Sequence, residues 1–541
     1  MSNEGKIGAV LVVGGGIGGV QASLDLAESG YLVYLVDTSP SIGGVMAQLD
    51  KTFPTNDCAA CILSPKLVEC GRHLNINLLT NAEVKGIEGE AGNFQVEVST
   101  KPRYIDAEKC TGCGECAKHC PARAISEYDQ GLRQRTAIYV TYAQAVPRTY
   151  VIDREKCIGC GLCEKICIAG AVKYVDKEEI EILNVGAVVL CPGYELCDPK
   201  PYYEFGYSRY PNVVTSLEFE RLLSATGPYR GNLLRPSDRD APEKIAWIQC
   251  VGSRDHINPY CSSVCCTYAV KEAIVAKEHV PIDIKETIFY MDMRTYGKDF
   301  DKFYNRAKEE YGVNFVRAKV FGVEEVNGTG NLTLRYLTED NKLVTEEFNM
   351  VVLSMGFQSS AKAIELGKRL GIQLNEYGYC NTNPFSPVET SKPGIYVAGA
   401  FSGPKDIPET VMQASGAAGS ASALLAPARN TLTKVKEYPP EKDVTGEEPR
   451  IGVFVCHCGI NIGGYVDVPA VTEYAKTLPN VAYAENNLFT CSQDTQERIK
   501  AAIEEHNLNR VIVASCTPRT HEPLFQETIR EAGLNKYLFE F

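Results

Sequence analysis

Eight cysteines in two runs, Cys110, Cys113, Cys116, Cys120 and Cys157, Cys160, Cys163, Cys167, repeat the spacing C-x2-C-x2-C-x3-C. No other feature limits so sharply what this chain can fold into. Thiolates at that spacing wrap a [4Fe–4S] cube, and where two such runs occur together the first three sulfurs of each hold one cube while the fourth crosses to the other. The expected sets are Cys110, Cys113, Cys116 and Cys167 around one cube, and Cys157, Cys160, Cys163 and Cys120 around its partner. Gly112, Gly114, Gly159 and Gly161 let the backbone curl around the inorganic sulfides and aim N–H groups at them. Structural zinc favours two separated CxxC pairs over four-cysteine runs. The chain is expected to carry electrons.

Its 541 residues exceed one ordinary core, and at ~150 residues per domain about three or four domains are expected. Lysine and arginine number 55 against 68 acids, a formal charge of −13, which argues against a nucleic-acid partner. The 22 cysteines cluster at metal-ligand spacings with no export signal, so a reducing cytoplasm is expected rather than a disulfide scaffold. The apolar start Ile7 to Val20 is broken by glycines and falls short of the ~20 residues of a membrane span.

Ile7 to Val13 reads as a buried strand running into Gly14-Gly15-Gly16-Ile17-Gly18-Gly19, where Gly14, Gly16 and Gly19 satisfy G-x-G-x-x-G. A helical stretch, Val20 to Ser29, and a second strand, Tyr31 to Val36, lead to Asp37 at the position of a ribose-binding acid. Glycines let such a turn approach a pyrophosphate, and the helix N-terminus stabilises its charge. Ser41-Ile42-Gly43-Gly44 is similar to the second glycine signature of two-dinucleotide-domain flavoproteins, which favours FAD over NAD and adds Gly43 and Gly44 to the candidate contacts. Gly394 to Ala400, then Lys405-Asp406-Ile407-Pro408 and a small-residue helix from Thr410 to Leu425, resemble the returning flavin-binding segment of the thioredoxin-reductase-like fold. Gly399, Lys405, Asp406 and Gln413 are the candidates there. The cysteine runs between these segments then form an inserted ferredoxin, Arg103 to Tyr174, after which Gly186 to Gly193 resumes the Rossmann pattern.

Lys244 to Gln249 is a strand placed where an NAD(P)H domain would begin, but no glycine fingerprint follows it. Cys250, Cys261, Cys265 and Cys266 follow instead, the last two at the start of a helix that includes Tyr268 to His279. Spacing leaves a third cluster, buried packing cysteines and a redox disulfide all open. Lys271, five residues past Cys266, is either a flavin-proximal ammonium in a catalytic position or an ordinary solvated lysine. Beyond a linker, Lys434 to Glu448, the strands Ile451 to Val455 and Val511 to Ala514 place Cys456, Cys458 and Cys516 at strand ends, and with Cys491 they form a candidate fourth cluster. Cys58 and Cys61 form a CxxC with no assigned role, either ligands in waiting or flavin-proximal thiols. His457 and His521 read as ordinary polar residues.

Phe53-Pro54-Thr55 with Asp57-Cys58-Ala59-Ala60-Cys61-Ile62-Leu63, the ferredoxin insertion, Cys250-Val251-Gly252-Ser253-Arg254-Asp255 with Pro259-Tyr260-Cys261, and Gly403 to Pro408 together resemble the A-type subunit of heterodisulfide reductase, an iron–sulfur flavoprotein. The resemblance implies a third [4Fe–4S] cluster at Cys250, Cys261, Cys265 and Cys266. It also implies an FAD that relays or bifurcates electrons between a hydrogenase- or formate-dehydrogenase-linked donor, the clusters, and a disulfide-reducing partner or ferredoxin. Two rival readings are the flavoprotein subunit of a quinone-interacting membrane oxidoreductase, and an NAD(P)H-dependent iron–sulfur flavoreductase. Arg450 to Phe541 resembles a domain that usually precedes the flavin domain. The order predicts one copy plus the start of a second, truncated or completed by another chain, and hence a homo- or hetero-oligomer.

The expected class is α/β: a thioredoxin-reductase-like FAD Rossmann fold with an inserted two-[4Fe–4S] ferredoxin domain and a C-terminal α/β cluster domain. The expected segments are 1–100 and 181–240 for the FAD domain, 101–180 for the ferredoxin and 241–355 for a cluster-bearing second nucleotide-domain-like module. A closing FAD segment at 356–430, a linker at 431–449 and the last domain at 450–541 complete the division.

Overall fold

The computed structural model describes residues 5–280 and 282–541. Ala9–Val13 reads AVLVV and is buried along its whole length, as a strand covered on both faces must be. It lies inside a five-stranded sheet of order Ile395–Val397, Ala187–Leu190, Ala9–Val13, Leu32–Asp37, Ile76–Thr80, every pair parallel. Chain order reverses on either side of Ala9–Val13, the switch point at which open parallel sheets form a crevice beyond their carboxyl ends. The helices Ile17–Glu28 and Ile407–Leu425 pack together over this sheet. The second helix begins three residues before the expected Thr410, because Asp406 and Glu409 form a reciprocal capping box with Pro408 in the first turn.

The ferredoxin module enters between two antiparallel strands, Asn93–Thr100 and Glu179–Val185, whose facing ends Thr100 and Glu179 are paired. An insertion there needs no change to the sheet, since its two ends already sit side by side. The module is nevertheless bound into its surroundings. Ile42 bridges to Val146, the Tyr128 hydroxyl donates to the Ala47 carbonyl at 2.6 Å, and the Tyr142 hydroxyl donates to that of Ile42.

A second parallel sheet runs Val213–Thr215, Met350–Met355, Lys244–Val251, Lys285–Tyr290, Asn314–Arg317. Its helix Cys265–Glu278 starts at the paired cysteines themselves, ahead of the expected Tyr268. A third parallel sheet, Val481–Asn487, Ile451–Cys456, Arg510–Ala514, Phe539–Glu540, forms the last unit. That unit rests on the helix Ala59–Arg72, with Arg72 donating to Thr528 at 3.2 Å and Glu497 at 3.1 Å and the Ser64 hydroxyl donating to the Cys491 carbonyl at 3.3 Å. The linker before it is pinned by two hydrogen bonds between Asn75 and Lys434. Among the described residues no helix is long and apolar enough to cross a membrane.

One ion pair fastens the ferredoxin to the second sheet's domain. Arg221 donates through two nitrogens, each 3.1 Å from one Asp129 oxygen, both side chains are 0% exposed, and the guanidinium lies 4.5 Å over the Tyr128 ring. Asp129→Ala leaves that cation buried without its partner and is expected to destabilise the protein by about 3–5 kcal/mol. In the Asp129→Leu/Arg221→Met double variant the loss is expected to be smaller. Denaturant midpoints measured on both check the order, and equal losses would remove the pair as an anchor.

Candidate redox site

The carboxyl ends of the first sheet open into a cleft of about 1250 Å³ of empty space, counted to its solvent mouth. Gly14, Gly16, Asp37, Gly44, Gly399, Lys405 and Asp406, which are far apart in sequence, all line it. The fit to a dinucleotide is physical. Gly14 has φ +104° and an added Cβ there would sit 2.1 Å from the Cys191 carbonyl, whereas one on Gly16 would meet nothing nearer than the Gly44 Cα at 3.9 Å. The helix that Gly16 opens has no side-chain cap and no acid in its first turn, so its first amides remain available to a diphosphate. Asp37 is fastened by the amides of Gly15 and Ser39, at 2.5 and 2.6 Å.

Three expected contacts stand behind the cleft instead of lining it. Gly19 packs where a Cβ would lie 1.8 Å from the Gly14 carbonyl, and Gly43 where one would meet the Tyr142 hydroxyl. Gln413 accepts from the Gly399 amide at 2.8 Å and the Lys405 ammonium at 2.9 Å, so it shapes the returning loop.

The second domain closes the cleft with Ser216, Glu220, Val264, Tyr268, Lys271 and Glu272. Lys271 is 1% exposed and paired with Glu220, so it is not a solvated lysine. Glu220 also accepts from the Asp50 amide at 3.0 Å. Glu272 accepts from the Trp247 indole at 2.9 Å, leaving its other oxygen buried without a partner. Burial, then the neighbouring Glu220, pushes the Asp50 carboxyl up to about 7 against the pull of Lys271, Lys51 and Arg221; the His279 ring lies 3.9 Å from it. No sequence pattern marked Glu220, Glu272 or Asp50; each is a buried acid whose neighbours come from other elements.

In the ferredoxin, Gly112, Gly114, Gly159 and Gly161 all have positive φ, from +68° to +83°, and short helices Glu115–Lys118 and Leu162–Ile166 follow each glycine pair. Cys120, Cys157, Cys160 and Cys163 line one small cavity. Cys110, Cys116 and Cys167 pack with them around Ile105, Ile138, Tyr150 and Ile152, and Cys113 is exposed. The Ala171 amide points at the Cys167 sulfur at 3.4 Å. Among the described residues no three His, Cys, Asp or Glu side chains gather tightly enough for a single metal ion.

Cys250 sits at φ +61° where the register of Lys244–Val251 shifts, a bulge that turns its sulfur toward the helix at Cys265. Cys250, Cys265 and Cys266 lie within hydrogen-bonding reach in sequence, Cys250 to Cys265 to Cys266. Arg294 joins Cys261 to the group, contacting that sulfur and giving its amide to Cys266. The position is the strand-to-helix turn at which a dinucleotide fold holds phosphate.

Cys456, Cys458, Cys491 and Cys516 meet in a third chamber, and the structure adds Cys58 and Cys61 to it. Cys456 and Cys458 share a hydrogen bond, which holds the first thiol down and the second up. In the segment flanking Cys491, the side-chain oxygens of Asn487, Thr490 and Gln493 are buried without partners. His521 is fully buried with neither ring nitrogen bonded, and burial lowers it to about 4.

The glycine cradle and the cysteine sets define an iron–sulfur flavoprotein oxidoreductase of thioredoxin-reductase-like fold. Three family descriptions agree: "FAD dependent oxidoreductase" over residues 9–62, "4Fe-4S dicluster domain" over 109–171 and "Pyridine nucleotide-disulphide oxidoreductase" over 265–419. Its cofactors are FAD and [4Fe–4S] clusters. The second A-type iron-sulfur subunit of the CoB–CoM heterodisulfide reductase of Methanopyrus kandleri is 48% identical over 77% of this chain and 64% of its own length. The A-type subunit of the H(2):CoB-CoM heterodisulfide,ferredoxin reductase of Methanothermobacter marburgensis is 47% identical over 76% and 63%. The A-type iron-sulfur subunit of the CoB–CoM heterodisulfide reductase of Methanocaldococcus jannaschii is 45% identical over 84% and 70%. The chain belongs to the family of heterodisulfide reductase A-type subunits. It spans about 64% of the length of the first of these relatives.

The buried acid makes a pH prediction. Because the folded state raises Asp50 from 3.8 to about 7, its contribution to stability is complete below the unfolded value and is lost as pH rises through about 7. Asp50→Asn removes that dependence. Between pH 4 and 8 the unmodified protein is expected to lose on the order of 4 kcal/mol relative to the variant, read as the difference of their denaturation midpoints. Parallel pH profiles would place Asp50 outside this role.

Proposed function

We propose that this chain is the electron-relaying subunit of a heterodisulfide-reductase-type complex. In this reading FAD sits between a hydrogenase- or formate-dehydrogenase-linked donor and two exits, a disulfide-reducing partner and ferredoxin. FAD exchanges two electrons whereas each cube passes one, so a cleft with cubes on more than one side can divide an incoming pair. The observation that carries this is the wall structure of the cleft: Val264, next to Cys265, lines one side, and Leu49, which also walls the six-cysteine chamber, lines another.

Gly14, Gly16, Gly44 and Gly399 would admit the diphosphate, Asp37 would accept from the ribose, and Lys405 and Asp406 would flank the ribityl side. Gly19, Gly43 and Gln413 support those positions from behind. Lys271, held by Glu220, would present its ammonium and hold a proton at Nζ. Cys110, Cys113, Cys116 and Cys167, and Cys157, Cys160, Cys163 and Cys120, would hold the ferredoxin cubes. Cys250, Cys261, Cys265 and Cys266 would hold a third, and Cys456, Cys458, Cys491 and Cys516 a fourth. The names of the relatives support the donors and acceptors, since they include H(2), formate, the CoB–CoM heterodisulfide and ferredoxin. The setting is the cytoplasm, in an oligomer with the other subunits.

Oxygen-free purification with partners attached is expected to give one FAD and ~12–16 iron atoms per chain. Cys250→Ser is expected to remove about four of those irons while FAD stays bound. NADPH is not expected to bleach the flavin, because Cys250-Val251-Gly252 stands where its glycine turn would be. Prompt bleaching would favour an NAD(P)H reductase, and zinc in place of iron would end the proposal.

A further inference from the structure

We propose that Cys58 and Cys61 are a redox-active thiol/disulfide pair, set in the seam between the flavin-binding and C-terminal domains and exchanging two electrons with a dithiol. The two sulfurs are bonded to each other. A bridge between residues three apart closes almost no loop, so it restricts the unfolded chain little and has scarcely any structural purpose. The cysteines that serve packing, such as Cys70 at 0% exposure, are sealed in the core. Cys58 and Cys61 are both half-buried and line the small chamber between the domains.

The local chemistry suits exchange. Cys58 is the N-cap of the 14-residue helix Ala59–Arg72, and its sulfur accepts from the Cys61 amide at 3.2 Å. A sulfur so placed is stabilised as thiolate and is the better leaving group. The Asn461 side-chain amide, from the C-terminal domain, approaches the same sulfur at 3.9 Å. Asp50 lines the chamber as well, with one carboxyl oxygen buried and unpartnered. No such surroundings are needed by a bridge that only holds a turn.

In the forward direction a donor thiolate attacks the Cys61 sulfur, a donor S–S bond forms, and the Cys58–Cys61 bond breaks with Cys58 leaving as thiolate. The donor's second thiol then attacks its own sulfur in the mixed disulfide and releases Cys61. The donor becomes a disulfide, the pair becomes two thiols, and the donor's two protons pass to them. The chamber places this two-electron couple beside Cys456, Cys458, Cys491 and Cys516, and behind Leu49 from the flavin cleft. The couple does not need those four cysteines to hold iron.

Oxygen-free holoprotein equilibrated across a series of reduced and oxidised dithiothreitol, then alkylated with iodoacetamide and mapped by mass, tests this. Cys58 and Cys61 are expected to be protected at the oxidised end and alkylated together at the reduced end. The crossing should have a two-electron slope, with iron unchanged throughout. Cys58→Ser is expected to keep its iron and leave Cys61 open to alkylation across the whole series. Alkylation of either cysteine throughout in the unmodified protein, or protection that only denaturation removes, would overturn the proposal. Loss of about four irons in Cys58→Ser would overturn it too, by making the pair cluster ligands. If the unmodified protein lacks a fourth cluster's iron while the crossing remains, the four-cysteine reading fails and this one stands.

Discussion

A parallel sheet ends every strand on the same side, and the helices that follow begin there with amides that have no partner in the helix. Three such sheets set the chemistry here. At the first, Gly14 turns the chain after Ala9–Val13 and the uncapped helix faces the cleft. At the second, Cys250 occupies the equivalent turn after Lys244–Val251, and Cys265 opens the helix. At the third, Cys456 ends Ile451–Cys456. One backbone device thus carries a glycine turn at the first sheet and a cysteine at the second and third. At Cys250 the substitution carries left-handed strain, φ +61°, on the order of 1–2 kcal/mol for a residue with a Cβ. The bulge beside it and the buried strand hold it there.

What was readable from sequence was local. The cysteine runs, the glycine turn, Asp37 and the apolar strands are each specified by neighbours within a few residues, and the structure brings Gly14, Gly16, Asp37, Gly44, Gly399, Lys405 and Asp406 to one cleft. The capping box at Asp406 and Glu409 was also local, and it explains why the helix starts at Ile407. Glu220 was not readable. Its importance comes from Lys271 and Asp50 approaching it from other elements, 51 and 170 residues away along the chain. Gln413 was placed in the right region, but its side chain turns toward the Gly399 and Lys405 loop, a choice made by tertiary packing. Cys58 and Cys61 lie nearly four hundred residues before Cys456 in sequence, and only the docking of the last domain on Ala59–Arg72 joins them to it.

The short segment Ala47–Asp50 gives that docking its electronic meaning. Leu49 lines both the cleft and the cysteine chamber, and Ala47 receives the Tyr128 hydroxyl from the ferredoxin. Three units therefore meet on four residues. The contacts at Arg72, Ser64 and Arg221 fix how these units meet.

The charges behind the wall are buried with it. Asp50, Glu220 and Glu272 are each 5% exposed or less, with the Lys271 ammonium paired to Glu220 and the buried Arg221 guanidinium close to Asp50. Ionising all three carboxylates together in a low-dielectric interior is strongly disfavoured. Burial raises both Asp50 and Glu272. The acids cost stability as carboxylates and are tolerated as carboxylic acids.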